Sequence, residues 1–319
     1  MSRLVAALLL GIVIAVPLSL LAGRVWIDPF DPETRNAAII LTQLRLPRAV
    51  LALTIGAGLG AAGAAMQGYL RNPLADPGLF GIAPGAALGA VLSFWLGAAS
   101  VWTLPLFALT GAAGAMALLA LIAGREGGVA LFTLAGMMIA SLAGALMSLA
   151  ISLSPTPFAL SEIVTWLMGS LADRSWREAW ISLPPTLLGL ATLAAAGRSL
   201  DALTLGEAAA RSLGVEPRRL QALMIAGIGL TVGAGVAVAG IIGFVGLVVP
   251  HLVRPFTDRR PSGLLLPSAL AGALLLIVAD SLCRVLPLRG GELRLGIALS
   301  LIGAPFFLHL LLKLRRGLA

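Results

Sequence analysis

The fold is indicated first by a series of small residues, Ile55-Gly-Ala-Gly-Leu-Gly-Ala-Ala-Gly-Ala-Ala-Met-Gln67. It lies within an apolar run, 48–68, and a helix that spans a bilayer needs about 20 such residues. Gly56 and Gly60 stand four residues apart, so they share one helix face and let a neighbouring backbone approach closely. The stretch therefore predicts a membrane helix packed tightly inside a bundle.

The composition of the whole chain indicates the same environment. Hydrophobic residues make up 59% and charged residues 11% of the 319 residues, and the mean hydropathy is +1.01. Soluble domains carry about 25% charged residues, so a soluble fold of this composition would expose apolar surface everywhere. Lipid is the solvent that removes this problem.

Ten apolar runs predict an all-α fold, a polytopic membrane helix bundle of about ten transmembrane helices. The first run follows Arg3; it resembles a signal-peptide core, but its length favours an uncleaved span. The eighth is too short to cross alone and is expected to be buried against its neighbours. The polar interludes are too short for a domain core, so residues 1–319 are expected to form one transmembrane domain. The runs are 4–22, 48–68, 78–97, 101–123, 129–153, 178–197, 221–242, 245–256, 263–286 and 294–313.

Basic residues orient this bundle. With both termini in the cytoplasm, the larger share of Arg and Lys falls on cytoplasmic segments, among them 198–220 and the C-terminal tail. The same bias accounts for the net charge of +8 without a nucleic-acid partner, because no basic stretch is interleaved with aromatic residues.

The residue types needed for catalysis or metal binding are scarce. The single Lys, Lys313, is followed by Leu314, so the chain lacks a P-loop, which needs Lys before Ser or Thr. His251 and His309 have no further ligand at metal-binding spacing. We therefore expect no catalytic residue, no metal and no cofactor in this chain, and we do not expect an enzyme.

The segment 198–220 has the pattern of a cytoplasmic elbow. Residues 207–213 favour a short helix that Gly214 would stop in a left-handed conformation, between Gly206 and Pro217. A surface helix bounded in this way suits docking into a groove on another protein. On local features alone, an ordinary amphipathic connector is an equally good interpretation.

Six motifs in register resemble the permeases of type II ABC importers, the FecCD/BtuC-like family that carries ferric siderophores, haem and cobalamin. The resemblance covers nearly the whole chain, and each motif alone would be weak. The motifs are Arg45-Leu-Pro-Arg48, Gln67-Gly-Tyr-Leu-Arg-Asn-Pro-Leu-Ala-Asp-Pro77, Trp166-Leu-Met-Gly-Ser-Leu171, Leu205-Gly-Glu-Ala-Ala-Ala-Arg-Ser-Leu-Gly214, Gly240-Ile-Ile-Gly-Phe-Val-Gly-Leu-Val-Val-Pro-His251 and Gly303-Ala-Pro-Phe-Phe307.

The resemblance implies a ten-helix subunit of the bacterial inner membrane that works as a homodimer. Two ABC ATPase subunits, which bind ATP and magnesium, would dock on its cytoplasmic face, and a periplasmic binding protein would deliver substrate. The elbow would then carry the ATPase-coupling residues. These are Leu205, Gly206, Glu207, Ala208, Ala209, Arg211, Leu213 and Gly214.

Three arginines on the outer side acquire a role from the same resemblance. Arg45 and Arg48 at the outer start of the second span, and Arg284 at the end of the ninth, would meet acidic residues of the binding protein. Arginines at a helix N-terminus oppose the helix dipole, so the first two need a compensating reason. Anchoring to lipid phosphate is the alternative for them. Arg284 could instead pair with Asp280, four residues earlier.

Two turns are implied as gates. Asn72, Pro73 and Leu74 would narrow the inner end of the pathway, and Ser154 and Thr156 the outer mouth. Ordinary tight turns explain the prolines equally well.

The chain departs from the family pattern at two places. It reads Asp258-Arg259-Arg260 where Asp-His-Arg is usual, and Glu292-Leu293-Arg294 where Glu-Leu-Pro is usual. The second change adds a basic residue to the outer surface.

The substrate expected from the sequence is a ferric siderophore, because Trp166-Leu-Met-Gly-Ser-Leu171 resembles the siderophore and haem branch. Cobalamin and haem remain alternatives. An ion-coupled secondary transporter is less well supported, since Asp280 is the one strong carboxylate inside the predicted spans. A membrane-embedded enzyme would need a cluster of polar groups that the spans lack.

Overall fold

A computed structural model describes residues 2–23, 37–124, 128–286 and 291–318, and within these ranges it contains helices and no strands. The α-helices are α1 (Ser2–Leu21), α2 (Ala37–Ile39), α3 (Leu46–Tyr69), α4 (Ile82–Trp95), α5 (Thr103–Ala123), α6 (Val129–Ser152), α7 (Pro157–Leu167), α8 (Trp176–Leu203), α9 (Glu207–Ser212), α10 (Pro217–Ala239), α11 (Val245–Val253), α12 (Pro261–Val285) and α13 (Leu295–Leu318).

Eight helical stretches in the described part of the chain are long and apolar enough to cross a membrane, and three shorter apolar helices accompany them. This confirms the all-α polytopic bundle. All ten predicted runs form helices, and the eighth is short, as expected. Its helix α11 is buried over most of its length. The predicted small-residue packing explains why so many helices fit closely together.

Two segments differ from the sequence prediction. The third run is divided, because Gly81 adopts φ +82 and separates a short turn from α4, which has only 14 residues. The polar interlude after the fifth run, 154–177, was assigned no helix, but it contains α7. Thr156 begins α7 by accepting a hydrogen bond from the Ala159 N–H at 3.1 Å, and Pro157 follows at the first helical position.

The second span begins earlier than the sequence indicated. A π-helical turn, Ile40–Arg45, joins α2 to α3, so one helical stretch runs from Ala37 to Tyr69. Arg45 and Arg48 consequently lie inside a helical stretch rather than at its N-terminus. The expected conflict with the helix dipole is therefore absent, and Arg45 and Arg48 need no partner to compensate for it.

Helices α3 and α12 pack with their backbones in direct contact. A methyl group added at Gly56 would overlap the Gly272 carbonyl, and one added at Gly60 would overlap the Ser268 carbonyl. Both glycines are those whose four-residue spacing predicted close approach. Because backbone atoms cannot yield as a flexible side chain can, α3 and α12 form one closely joined pair.

Candidate functional site

The elbow, residues 198–220, has the predicted form. Helix α9 lies between Gly206, at φ +100, and Gly214, at φ +84, and Pro217 begins α10. Leu205 and Leu213 at its ends are 67% and 64% exposed. Exposed leucines on a short, sharply bounded helix give it an apolar surface that is free to contact another protein.

Glu207, the first residue of α9, lies at the start of α6. Its Oε1 is 3.4 Å from the Val129 N–H, and its carboxylate also faces Gly128. The N–H groups of a first helical turn lack partners within the helix and favour a negative charge. Glu207 therefore connects the elbow to α6, a relation that its sequence separation of 78 residues conceals.

A cavity of about 650 Å³ lies beside this contact. Tyr69, Glu207, Arg211 and Gln221 are among its lining residues. The elbow is thus not packed solidly against the bundle beneath it, which leaves room for the elbow to move.

At the end of α3 that is remote from the elbow, Arg48 is the centre of a buried charge cluster. Its guanidinium binds both carboxylate oxygens of Asp280, with Nε–Oδ2 at 2.9 Å and Nη2–Oδ1 at 2.8 Å. Its Nη1 lies 2.8 Å from Oε2 of Glu292. The side chain of Asp280 is only 1% exposed, so the pair is removed from solvent. Such bidentate geometry is the strongest form of this interaction.

The other two candidate docking arginines also have partners within the chain. Arg284 Nε is 3.3 Å from Asp280 and its Nη2 donates to Ser19 Oγ at 2.7 Å. The pair with Asp280 is the one that the sequence spacing suggested, but it is buried, not on a helix surface. Arg45 donates to the carbonyls of Leu20 and Leu21 at the end of α1. Docking by these arginines remains a prediction.

The same arginines line a cavity of about 230 Å³. Arg174 borders this cavity and a second one of about 330 Å³, which Arg294 also lines. Burial lowers the pKa of the Arg174 guanidinium from its ordinary value. Carboxylates share both linings: Asp173 borders the two cavities, Glu162 the larger one and Glu292 the smaller one. These recesses therefore carry charges of both signs, and Arg294, which departs from the family pattern, adds one of the positive ones.

The two predicted gate turns lie at opposite ends of α6. Tyr69, just before the Asn72 turn, packs its ring edge-on against Phe132 near the start of α6, with ring centroids 5.0 Å apart. Ser154 and Thr156 follow the last residue of the same helix. A helix of 24 residues is about 36 Å long. The two turns therefore lie at opposite ends of a helix of bilayer length, and gating by them stays a prediction.

Both turns are also held by their own side chains. Asn72 Oδ1 accepts a hydrogen bond from the Leu74 N–H at 2.9 Å, and Ser154 Oγ donates to the Thr156 carbonyl at 3.2 Å. These contacts are those of ordinary turns, the alternative that the sequence left open.

Comparison with known proteins identifies the family. The model of the FecCD transport family matches residues 4–313. The chain is 40% identical over 310 residues to the vitamin B12 import system permease protein BtuC of Escherichia coli O9:H4 (strain HS), covering 95% of this chain and 93% of that protein. It is 39% identical over 321 residues to its counterpart in Salmonella schwarzengrund (strain CVM19633), covering 98% and 96%.

The chain belongs to the FecCD transport family.

A solved structure gives the same result for the fold. A chain described as an inward-facing metal-chelate type ABC transporter superposes with a TM-score of 0.87 at 34% identity, covering 98% of this chain and 99% of that one. The FecCD protein is accordingly the membrane-spanning permease component of an ABC importer.

The motifs by which the sequence resembled the FecCD family contact one another. The Ser170 N–H donates to the Ala239 carbonyl at 2.8 Å, just before Gly240 begins its own motif. A methyl group at Gly240 would overlap the Trp166 carbonyl, and one at Gly303 would overlap the ring of Phe244. The motifs thus mark places where backbones from distant segments meet, which explains their glycines.

Gln67, which opens the second motif, joins α3 to α11 and to Arg254, the residue just beyond α11. Its Oε1 accepts from Arg254 at 2.6 Å, and its Nε2 donates to the Leu247 carbonyl at 3.3 Å. Sequence reasoning missed this role, because the partners lie about 180 residues away.

His251 packs its ring edge-on against Phe306, with centroids 5.9 Å apart. Among the described residues there is no group of three or more His, Cys, Asp and Glu side chains that could hold a metal ion.

Proposed function

We propose that this FecCD permease imports cobalamin across the bacterial inner membrane and that it works as a homodimer. Two ABC ATPase subunits would drive the transport, and a periplasmic binding protein would deliver the substrate. The observation that carries the proposal is α9, a short exposed helix between two glycines with positive φ angles. Such a helix suits a groove on an ATPase, and its attachment to α6 through Glu207 offers a route for movement into the bundle. ATP and magnesium would be bound by the ATPase.

The outer arginines support a binding-protein partner. Arg45, Arg48 and Arg284 all line the cavity of about 230 Å³ at the outer side. A carboxylate of a docked protein would find positive charge there, although each arginine also has a partner in its own chain. Docking would then add to an existing charge cluster, and it would weaken as salt screens the attraction.

The relatives favour cobalamin over the ferric siderophore expected from the sequence. The two named relatives are vitamin B12 permeases, and they are similar over nearly the whole chain. The solved structure is described as a metal-chelate transporter at lower identity, which keeps a ferric chelate as the second candidate.

Uptake into proteoliposomes tests the proposal. The permease is reconstituted with its ATPase and binding protein, and the binding protein is loaded in turn with cyanocobalamin, a ferric siderophore or haem. We expect ATP-dependent uptake of cyanocobalamin above the other two. ATP-dependent uptake of the ferric siderophore alone would replace cobalamin with the second candidate.

A proton gradient without ATPase provides the test against a secondary transporter. Asp280, the carboxylate that could have bound a coupling ion, is already paired with Arg48 and Arg284. We therefore expect no uptake from the gradient alone. Transport under those conditions would contradict the importer proposal.

A further inference from the structure

Asp201, near the end of α8, binds the start of α12. Its Oδ1 accepts a hydrogen bond from the Ser262 N–H at 2.9 Å, and its Oδ2 accepts from the Ser262 hydroxyl at 2.5 Å. The two residues are 61 positions apart in the sequence. Asp201 lies six residues before Glu207, so it is at the entrance to the elbow.

This contact supplies the side-chain hydrogen bonds that the residue before α12 does not make. Arg260, the residue before the helix, makes no side-chain capping bond, and Pro261 has no N–H to donate. The first turn of a helix has unpaired N–H groups and carries partial positive charge, and a carboxylate satisfies both. Asp201 thus caps a helix to which it does not belong, and this joins the elbow to α12.

Helix α12 in turn is joined firmly to α3. The two backbones touch at Gly56 and Gly60, and the buried pair of Arg48 with Asp280 joins them again toward the outer side. Ser262 and Asp280 are separated by about 27 Å along the helix at 1.5 Å per residue. One closely joined pair of helices therefore connects the elbow with the outer charge cluster.

We propose that Asp201 is a positioning residue through which movement of the elbow is passed to the α3–α12 pair, and so to the arginine cluster on the outer side. The inference rests on the proposed function, in which the ATPase moves α9. With the Asp201–Ser262 contact in place, displacement of the end of α8 displaces α12. Without it, α8 still packs against α12 at Gly197, but less of the elbow's movement reaches the outer cluster.

The test compares coupling with simple stability. The permease is assembled with its ATPase in nanodiscs, and ATP hydrolysis is measured with and without binding protein loaded with cyanocobalamin. The ratio of stimulated to basal hydrolysis reports coupling, and the melting temperature reports stability. Asp258→Ala is the matched control. It removes an exposed carboxylate that lies against Gly263 in the first turn of α12 and accepts from the Arg260 N–H at 3.2 Å, but that has no hydrogen bond or ion pair to α8.

We expect Asp201→Ala to lower the ratio about fivefold or more while assembly and basal hydrolysis persist. Asp201→Asn retains an oxygen that can accept from the Ser262 N–H, so it should keep part of the ratio. Ser262→Ala should lower the ratio less than Asp201→Ala, and adding it to Asp201→Ala should change little more, because both act on one contact. If Asp201→Ala does not fold, the ratios measured for Asp201→Asn and Ser262→Ala still test the inference.

An unchanged ratio in the folded Asp201 and Ser262 variants would overturn the inference. An equal loss in Asp258→Ala would overturn it too, because the effect would then come from the end of α12 alone. Failure of the proposed function looks different. In that case the wild type itself would neither bind the ATPase nor respond to loaded binding protein.

Discussion

Arg48 and Asp280, 232 positions apart in the sequence, form a bidentate ion pair inside the helical bundle. A charge in a membrane segment is costly unless a partner compensates it. Here Asp280 faces Arg48 and Arg284, and Glu292 supplies the second carboxylate. The residues that resemble docking arginines are consequently also part of the framework.

The first prediction concerns this pair. Asp280→Ala should lower the melting temperature in detergent strongly, since breaking a buried pair costs about 3–5 kcal/mol. Arg48→Ala should behave similarly, and the double variant should lose clearly less than the sum of the two. Additive losses would show that the two side chains do not act as a pair.

The second prediction concerns close backbone packing. Gly60→Ala should destabilise the protein by about 2 kcal/mol or more, because its methyl group would meet the rigid Ser268 carbonyl. Gly114→Ala is the control, since no atom lies within 4 Å of a methyl group there. Melting temperatures and the yield of monodisperse protein measure the effect. Equal behaviour of the two variants would contradict the contact between α3 and α12.

The third prediction concerns the elbow. Glu207→Arg should leave the protein folded but lower co-purification of the ATPase, because it reverses the charge at the start of α9 and loses the contact with Val129. Glu216→Arg reverses the charge of an exposed residue just beyond α9, and it should lower co-purification of the ATPase less. Unchanged association and transport in Glu207→Arg would reject α9 as the coupling helix.

The fourth prediction concerns the two ends of α6. In a protein whose Cys283 is replaced by Ser, Ser154→Cys should react with a membrane-impermeant maleimide from outside in sealed cells. Asn72→Cys should react only after permeabilisation, since Asn72 is expected on the cytoplasmic side. The reverse labelling pattern would show that the protein has the opposite orientation in the membrane. A change in the Ser154→Cys rate with ATP and vanadate would support a gate there.

The helices were predictable because their signal is local. Apolar runs of bilayer length and glycines four residues apart are visible in any window, and they located the spans and the face of α3 that meets α12. The elbow was predictable for the same reason, since Gly206, Gly214 and Pro217 define it within a few residues. Helix α7 was missed because it is short, although Thr156 and Pro157 are a recognisable start.

The partners of the polar residues were not predictable. Arg48 was selected as an exposed docking residue, yet its carboxylates lie at positions 280 and 292. Asp201 was given no role, because a helix capped by a residue of another helix has no pattern within one window. Gln67 was noted only as the start of a motif, since its partners are distant in the sequence. Only the pair of Asp280 and Arg284, one helical turn apart, could be anticipated, and its burial could not.

The order of the Arg48 pairing has a consequence for biogenesis. Arg48 leaves the ribosome long before either carboxylate that binds it, so α3 must enter the bilayer with an uncompensated guanidinium. An arginine at the centre of an inserting helix costs about 2.5–3.5 kcal/mol, and less near the interface. The charge of Arg48 in α3 is therefore compensated only after α12 and the segment with Glu292 have been synthesised. Nascent chains that end before Asp280 should be poorly integrated and prone to degradation.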